Sequence, residues 1–310
     1  MSPNFLVLLK DRAHMLSEVR AFFKNRYVLE VDCPALSPAA PIDLHIDVMT
    51  VDTGDSTGFL HTSPEYGMKR LLAKGSGDIY QLSHVFRSGE TGPLHNPEFM
   101  MIEWYRLGFS FEQMIEETLE CIRLFLGEIP EKRMSYKQLI KHFLNTDYET
   151  ALPSELFKIG CEKGLGLPPE AEKWDKDTLL QALIGFVIEP QLGQDHLFVL
   201  THFPASQAAL SQTRELESGE KVALRFEVYY KGIELANGYH ELTDAQEQRR
   251  RLEESNQKRI AAGKLKLPID HLFLEALEKG LPDCCGVAVG FDRLLQLKHQ
   301  LPTLQSALPL

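Results

Sequence analysis

Between Val85 and Arg106 the chain reads V-F-R-S-G-E-T-G-P-L-H-N-P-E-F-M-M-I-E-W-Y-R, and its side chains are of the kinds that bind a triphosphate nucleotide. Arg87 and His95 supply a cation and hydrogen-bond donors for phosphate oxygens, and Phe99 offers a ring face to a base. The second half alternates as a strand. Phe99, Met101, Glu103 and Tyr105 fall on one face, and Met100, Ile102 and Trp104 on the other. A second chemical stretch, L-R-F-E-V-Y-Y-K-G-I-E-L-A-N-G-Y-H-E-L, begins at Leu224. If Lys231-Gly232 closes a two-residue hairpin, Tyr229 lies opposite Glu234, and Glu227 shares their face, diagonal to Glu234. Diagonal partners sit ~7–8 Å apart at Cα, so the two carboxylates could hold Mg²⁺. The alternative is an exposed sheet face with chance acidic residues.

Two shorter stretches carry candidates of the same kind. In G-V-A-V-G-F-D-R, starting at Gly286, Arg293 falls in the first turn of a helix, where it could aim at phosphate. Asp292 beside it could instead be one half of a buried ion pair. In H-T-S-P-E-Y, starting at His61, Glu65 is a candidate ligand. However, Thr62 and Glu65 also stand as T-x-x-E, a capping box opening a helix that runs to Lys74.

The elements that must position these residues are legible in outline. Apolar residues at Leu9, Ala13, Leu16, Val19 and Phe23 predict an N-terminal helix, with Ser2-Pro3 as its start. Strands are predicted over 27–32, 45–52, 59–61, 79–86, 197–201, 224–230 and 233–239. Ser110 with Gln113 forms a capping box before a helix whose stripe is Phe111, Met114, Ile115, Leu119, Ile122 and Leu126. Thr243 with Gln246 forms another before a charged helix to Ala262, and Asp270 caps a short helix ending at Gly280. Residues from about 128 to 195 read as amphipathic helices broken by Pro153, Pro168, Pro169 and Pro190. One large α+β domain with that helical insertion is the expected organisation, its main sheet largely antiparallel and flanked by helices.

Composition excludes several classes. The formal charge of −11 gives no prior for broad phosphate-backbone binding, although a local basic patch could still contact RNA. No apolar run reaches membrane-spanning length, and the N-terminus lacks the pattern of a signal peptide. The five cysteines, Cys33, Cys121, Cys161, Cys284 and Cys285, are odd in number and contain no C-x-x-C pair. A disulfide framework is therefore not expected, and a cytoplasmic location is.

Taken together, the blocks resemble the three motifs of class II aminoacyl-tRNA synthetases, in the lysyl branch. The helix and strand ending at Pro34 are similar to the first motif. F-R-S-G-E with H-N-P-E-F and E-W-Y resembles the second, G-F-D-R the third, and G-I-E-L-A-N-G-Y-H-E-L a lysyl-branch segment. The first motif begins near residue 5, leaving no room for an N-terminal anticodon-reading OB-fold. This pattern, with T-S-P-E-Y and Ala288 where lysyl-tRNA synthetases usually have Gly, resembles the elongation factor P lysine ligases. The resemblance implies a class II synthetase catalytic fold, a homodimer through the first motif, and ATP and Mg²⁺ as cofactors. It also implies activation of (R)-β-lysine or lysine and transfer to a lysine side chain of elongation factor P, with neither tRNA nor membrane as a partner.

Carried over residue by residue, the resemblance implies that Arg87 and Arg293 neutralise the triphosphate and act in catalysis, and that His95 reaches the terminal phosphate. It implies that Phe99 stacks on adenine, that Asn96 helps to hold the nucleotide, and that Leu235 and Gly290 complete the ATP site. Glu227 and Glu234 would bind Mg²⁺. Glu65 would take the substrate's backbone-side amine, and Glu241 with Tyr105 its ε-ammonium. Ser63, Pro64 and Ala288 would line the same pocket. One departure stands out: synthetases usually show F-R-x-E, whereas here Gly89 takes that place and the acid follows at Glu90. The adenine contact would then fall to Glu90 or to backbone around Ser88 and Gly89. Two rival readings are a stand-alone lysyl-tRNA synthetase core and a catalytically inactive regulatory subunit. The latter is disfavoured because Arg87, Glu227, Glu234 and Arg293 are all retained.

Overall fold

A computed structural model describes residues 5–309. The chain divides into two compact units, one built from the described residues up to Gly127 and from His240 onward, the other from Glu128 to Tyr239. The Ser2-Pro3 helix start lies outside the described residues.

The first unit opens with helix α1 (Phe5–Lys24). Its buried stripe is Leu8, Arg12, Met15, Val19, Phe22 and Phe23. This differs from the expected stripe, since Leu9 and Ala13 face solvent. The register is turned by Arg12, whose guanidinium pairs with the buried carboxylate of Asp292. An ion pair out of water is tolerated only when each charge has its partner. Next come β1 (Leu29–Glu30), β2 (Leu36–Ser37), β3 (Met49–Asp52) and β4 (Thr57–Leu60). β1 is shorter than the predicted 27–32 because Tyr27 adopts φ +57° and stays exposed. β3 is shorter than 45–52 because Asp43 Oδ1 accepts from the backbone N–H groups of His45 and Ile46, a local turn that competes with pairing. β2, β4 and β3 form a small antiparallel sheet in that order.

Helix α2 (Glu65–Leu72) follows, and then β5 (Ile79–Phe86) and β6 (Glu98–Leu107), paired antiparallel along their length. Thr62 does not cap α2. Pro64 occupies the cap position without a side-chain bond, and Ser63 Oγ accepts from the Glu65 backbone N–H instead. Helix α3 (Phe111–Leu126) begins with the expected Ser110–Gln113 capping box. Phe23 stacks on Tyr80 with ring centroids 4.3 Å apart and meets Trp104 at 5.2 Å, which fastens α1 to the strands.

The second unit contains β7 (Glu131–Ser135), α4 (Tyr136–Leu144), α5 (Pro153–Glu162), α6 (Lys176–Leu183), β8 (Leu197–Pro204), β9 (Thr213–Glu215), β10 (Lys221–Tyr230) and β11 (Ile233–His240). The 128–195 segment is thus not helical alone. β7 escapes a periodicity reading because it is short and polar, E-K-R-M-S, and exists by pairing in parallel with β8. Pro153 starts α5 at its first turn rather than breaking a helix. β8, β10 and β11 are antiparallel neighbours, with β9 added to β10. Tyr136, Leu139, Leu156, Leu180, Leu200 and Ala223 are among the residues of this unit's apolar core.

The chain then supplies to the first unit α7 (Ala245–Ala261), α8 (His271–Gly280), β12 (Cys284–Gly290) and α9 (Phe291–Lys298). Asp244, not Thr243, caps α7, since its carboxylate accepts from the N–H groups of both Gln246 and Glu247. Asp270 caps α8 as expected. β12 pairs antiparallel with β6, giving the order β1–β5–β6–β12 within this unit. Cys284 and Cys285 are buried strand residues, and the cysteines are free thiols. Apart from β1 with β5 and β7 with β8, the described strand pairs are antiparallel, which makes the fold α+β as expected. Among the described residues no helix is long and apolar enough to cross a membrane.

Because Asp292 also accepts a 2.6 Å hydrogen bond from the Met100 backbone N–H, the Arg12–Asp292 pair ties α1, β6 and α9 together. Replacing Arg12 with Met leaves a buried carboxylate unpaired, and is expected to cost about 3–5 kcal/mol in urea unfolding.

Candidate functional site

Register brings the first unit's candidates together. Gln81 of β5, Glu103 of β6 and Ala288 of β12 lie in one cross-strand row, and Ile79, Tyr105 and Gly286 in the next such row. Glu103 and Tyr105 share a face, as their spacing requires, and both are buried. Tyr105 donates its hydroxyl to Glu103 Oε1 at 2.7 Å, and Ser63 Oγ donates to Glu103 Oε2 at 2.7 Å. Glu241, on the segment before α7, is buried beside them, and its backbone N–H donates to the Cys284 carbonyl.

Glu65 is not a capping residue. Its carboxylate lies 2.5 Å from the ammonium of Lys69, one turn along α2, and the same ammonium lies 2.5 Å from Glu241. Two carboxylates thus meet at one lysine, with Glu103 as a third acid in the same pocket. The expected pocket residues Ser63, Glu65, Tyr105, Glu241 and Ala288 do converge. The reading of sequence missed Lys69 and assigned no role to Glu103. Lys69 had a signal, since it stands at i+4 from Glu65 on a helix. Pro64 contributes by its position at the head of α2.

Gly286 forms the floor. A Cβ there would collide with the Tyr105 ring and the Glu241 carboxylate, so this strand position must lack a side chain for both to lie over it.

Burial governs the electrostatics. Desolvation raises the Glu103 pKa to about 7, with Glu65's charge adding to it and the Ser63 and Tyr105 hydrogen bonds opposing. Glu241 is raised by burial too, against the pull of Lys69. Burial alone would lower the Lys69 pKa, but Glu241 and Glu65 outweigh it and keep the ammonium charged.

The remaining candidates of this unit form the loop between β5 and β6 and the start of α9. The Arg87 guanidinium lies over the Phe99 ring, 5.0 Å from its centroid, and 3.8 Å from Glu90. The Ser88 N–H donates to the Asp47 carbonyl at 2.7 Å, and Asn96 Nδ2 to the Glu98 carbonyl at 2.7 Å. Gly89 has φ +76°, in the left-handed region where glycine is favoured over the glutamate usual in the family pattern. Arg293, in the first turn of α9 after Gly290, donates to the Leu94 carbonyl at 3.3 Å. Partial desolvation and the charges of Arg293 and Arg87 push the His95 pKa below the ordinary imidazole value, against Glu90. Arg87, Glu90, His95 and Arg293 are therefore electrostatic neighbours, a cationic loop suited to phosphate.

In the second unit the Lys231-Gly232 turn closes the β10–β11 hairpin, and Tyr229 pairs with Glu234. A bulge beyond Tyr229 changes the rest of the expected register. Glu227 lies directly opposite Asn237 rather than diagonal to Glu234. Leu235, within the bulge, is buried. Glu227 pairs with Arg225 at 2.5 Å and accepts a hydrogen bond from the Tyr229 hydroxyl. Its pKa is raised, first by burial and then by Glu234, against Arg225. Asn237 Oδ1 is buried without a hydrogen-bond partner. These oxygens are hard donors, and they fit Mg²⁺ better than a softer metal. Among the described residues no group of three or more His, Cys, Asp and Glu is arranged to hold a metal, so a cation here would rely on few protein ligands.

The first unit thus carries a buried acidic pocket and a cationic loop on one antiparallel sheet. A family model described as tRNA synthetases class II (D, K and N) matches residues 1–309. The chain belongs to that family. Relatives resolve it further. One from Klebsiella pneumoniae (strain 342), named elongation factor P–(R)-β-lysine ligase, is 46% identical over 95% of this chain and 90% of its own length. Proteins of the same name from Edwardsiella ictaluri (strain 93-146) and Enterobacter sp. (strain 638) are 46% and 45% identical, over 93% and 95% of this chain and 90% of their own lengths. Family and relatives together make the chain an ATP-dependent ligase.

The raised Glu103 pKa sets a pH dependence. Its folded value of about 7 lies above the ordinary 4.5, so the folded protein binds the extra proton between those values. Its cost to stability is full above pH 7 and is relieved as pH falls. Thermal melting of the ligand-free protein is expected to be steeper in pH between 4.5 and 7 than that of Glu103→Gln, by at most about 1.4 kcal/mol per pH unit, and to show no such difference above that window. Gly286→Ala is expected to fold, because the strand continues, yet to lose amino-acid binding at least tenfold in calorimetric titration while ATP binding is kept.

Proposed function

We propose that the protein activates (R)-β-lysine or lysine with ATP and transfers it to a lysine side chain of elongation factor P. The observation that carries this reading is the acidic pocket, in which Glu65, Glu103 and Glu241 gather beside Tyr105 and Ser63. Two buried carboxylates and the part-buried Glu65 against one lysine leave an excess of negative charge, which a molecule with two ammonium groups offsets. The relatives' name agrees with that chemistry and supplies the acceptor.

In this reading the substrate's carboxylate oxygen attacks the α-phosphorus of ATP. A new O–P bond forms, the bond to the β-phosphate bridge breaks, and pyrophosphate leaves. Arg87 and Arg293 offset the charge that accumulates on the transferring oxygens, and His95 donates a hydrogen bond to the terminal phosphate. Phe99 stacks on adenine while Ser88, Gly89, Glu90, Asn96 and Gly290 complete the nucleotide's surroundings within the first unit. Glu65 takes the substrate's backbone-side amine, and Glu241 with Tyr105 its ε-ammonium. Glu103 orients Tyr105 and Ser63 and adds negative potential. Ala288, beside Glu103 in register, adds a methyl that shapes the pocket for one lysine isomer. Glu227 and Glu234, with Asn237 nearby, would hold Mg²⁺, which supplies charge neutralisation on the phosphates when bound. In the second step an acceptor lysine amine attacks the acyl carbon, the N–C bond forms, AMP leaves and the amine gives up its proton. Positioning and charge do this work without a covalent enzyme nucleophile. The protein acts in the cytoplasm as a homodimer through its first-motif helix.

ATP–pyrophosphate exchange with α-lysine and β-lysine, followed by mass analysis of elongation factor P, tests the reading. Exchange and a mass increase of one lysyl group are expected. Charged tRNA with an unmodified factor would replace it with the lysyl-tRNA synthetase reading. Glu241→Gln is expected to raise the KM for the amino acid at least tenfold and to leave that for ATP within about twofold, since an unpaired buried ammonium costs several kcal/mol. Equal loss of both would count against its assignment.

A further inference from the structure

Lys69 has no part in the steps above, yet it occupies the centre of the pocket. It is fully buried, and its ammonium is 2.5 Å from both Glu65 and Glu241. Lysine is almost never fully buried unless paired. Charged and titratable groups reach it from each surrounding element: Glu65 and Tyr66 on its own helix, Glu103 on β6, Glu241 before α7, and Cys284 on β12. Asp270, at the head of α8, acts on Tyr66 behind it, and the Phe273 ring of α8 lies 5.9 Å from the ammonium.

We infer that Lys69 is a positioning residue of the amino-acid site: its ammonium holds the Glu65 and Glu241 carboxylates in place and offsets part of the negative charge that a diamino acid then neutralises. The inference rests on the reading that this pocket binds lysine or β-lysine. The physical basis is twofold. Two carboxylates meeting at a common cation cannot swing apart without stranding a buried charge, so their oxygens are preset before substrate arrives. With Lys69 in place part of the acidic charge is already offset, and a substrate bearing two ammonium groups offsets more of the remainder than a monoamino acid can. The resident lysine thus makes the pocket selective for diamino acids rather than acidic in a general way.

ATP–pyrophosphate exchange by Lys69→Met and Lys69→Arg tests this, with thermal melting as a check on folding. Methionine keeps an unbranched stem and removes the charge, and arginine keeps the charge. Lys69→Met is expected to raise the KM for lysine or β-lysine at least tenfold, with the KM for ATP within twofold, and to change the pH profile of the amino-acid KM between pH 6 and 8. Lys69→Arg is expected to recover at least threefold of the lost affinity. An unchanged amino-acid KM in Lys69→Met overturns the inference. So does an equal rise in the KM for ATP, or equal impairment of the two variants. Should Lys69→Met fail to fold, a folded and active Lys69→Arg supports the need for charge, and an unfolded one overturns it. Wild-type protein that exchanges with neither amino acid defeats the substrate reading itself. Wild-type exchange with an unaffected Lys69→Met defeats only the role of Lys69.

Discussion

A carboxylate inside a protein must find a cation, a hydrogen-bond donor or a proton, and that constraint organises this molecule. Lys69 meets it for Glu65 and Glu241, while Ser63 and Tyr105 meet it for Glu103. Arg12 meets it for Asp292, and within the second unit Arg225 meets it for Glu227. Outside the structural Arg12–Asp292 pair, each of these acids is more than a stabilising partner. The desolvation that makes it costly also strengthens its field, so the same burial that demands compensation makes the site attract ammonium groups or metal ions.

The blocks that resemble a synthetase divide structural from chemical roles at close range. In the G-F-D-R segment Asp292 turns inward to hold α1 and β6, while the adjacent Arg293 belongs to the cationic loop. In H-T-S-P-E-Y, Ser63 both receives the Glu65 N–H and donates to Glu103, joining the head of α2 to the pocket wall. In the strand after His95 the alternation is equally divided: Trp104 packs on Phe23 and donates to Glu117, and its neighbours Glu103 and Tyr105 form the pocket. Neighbouring residues in a strand or a helix's first turn point in different directions, so one short motif can serve the core and the site at once.

Several features were legible because they are local. The Ser110 and Asp270 caps depend on bonds spanning three residues, and the Lys231-Gly232 hairpin on a turn two residues long. β5 and β6 were readable from alternation. The errors arose where long-range partners override local preference. Arg12 is buried within an otherwise apolar stripe because Asp292 awaits it far along the chain. β7 is a strand only because β8 lies beside it. The bulge in β11 moves Glu227 opposite Asn237, and no spacing rule announces an inserted residue. The capping reading of Glu65 failed because Lys69 offers its carboxylate a charge, a stronger partner than a backbone N–H.

By itself, then, the sequence determined the types of residue available for chemistry, the order in which they occur, and the faces that alternate residues take on a strand. Those follow from covalent order and from the two periodicities of the backbone. Tertiary structure decided which of these residues meet. Glu65, Glu103 and Glu241 come from a helix, a strand and a connecting segment, and only pairing of β6 with β5 and β12 and packing of α2 bring them into one pocket, two of them onto Lys69. Interaction between charges depends on distance and on the water excluded around them. Neither quantity exists along a sequence until the chain has folded.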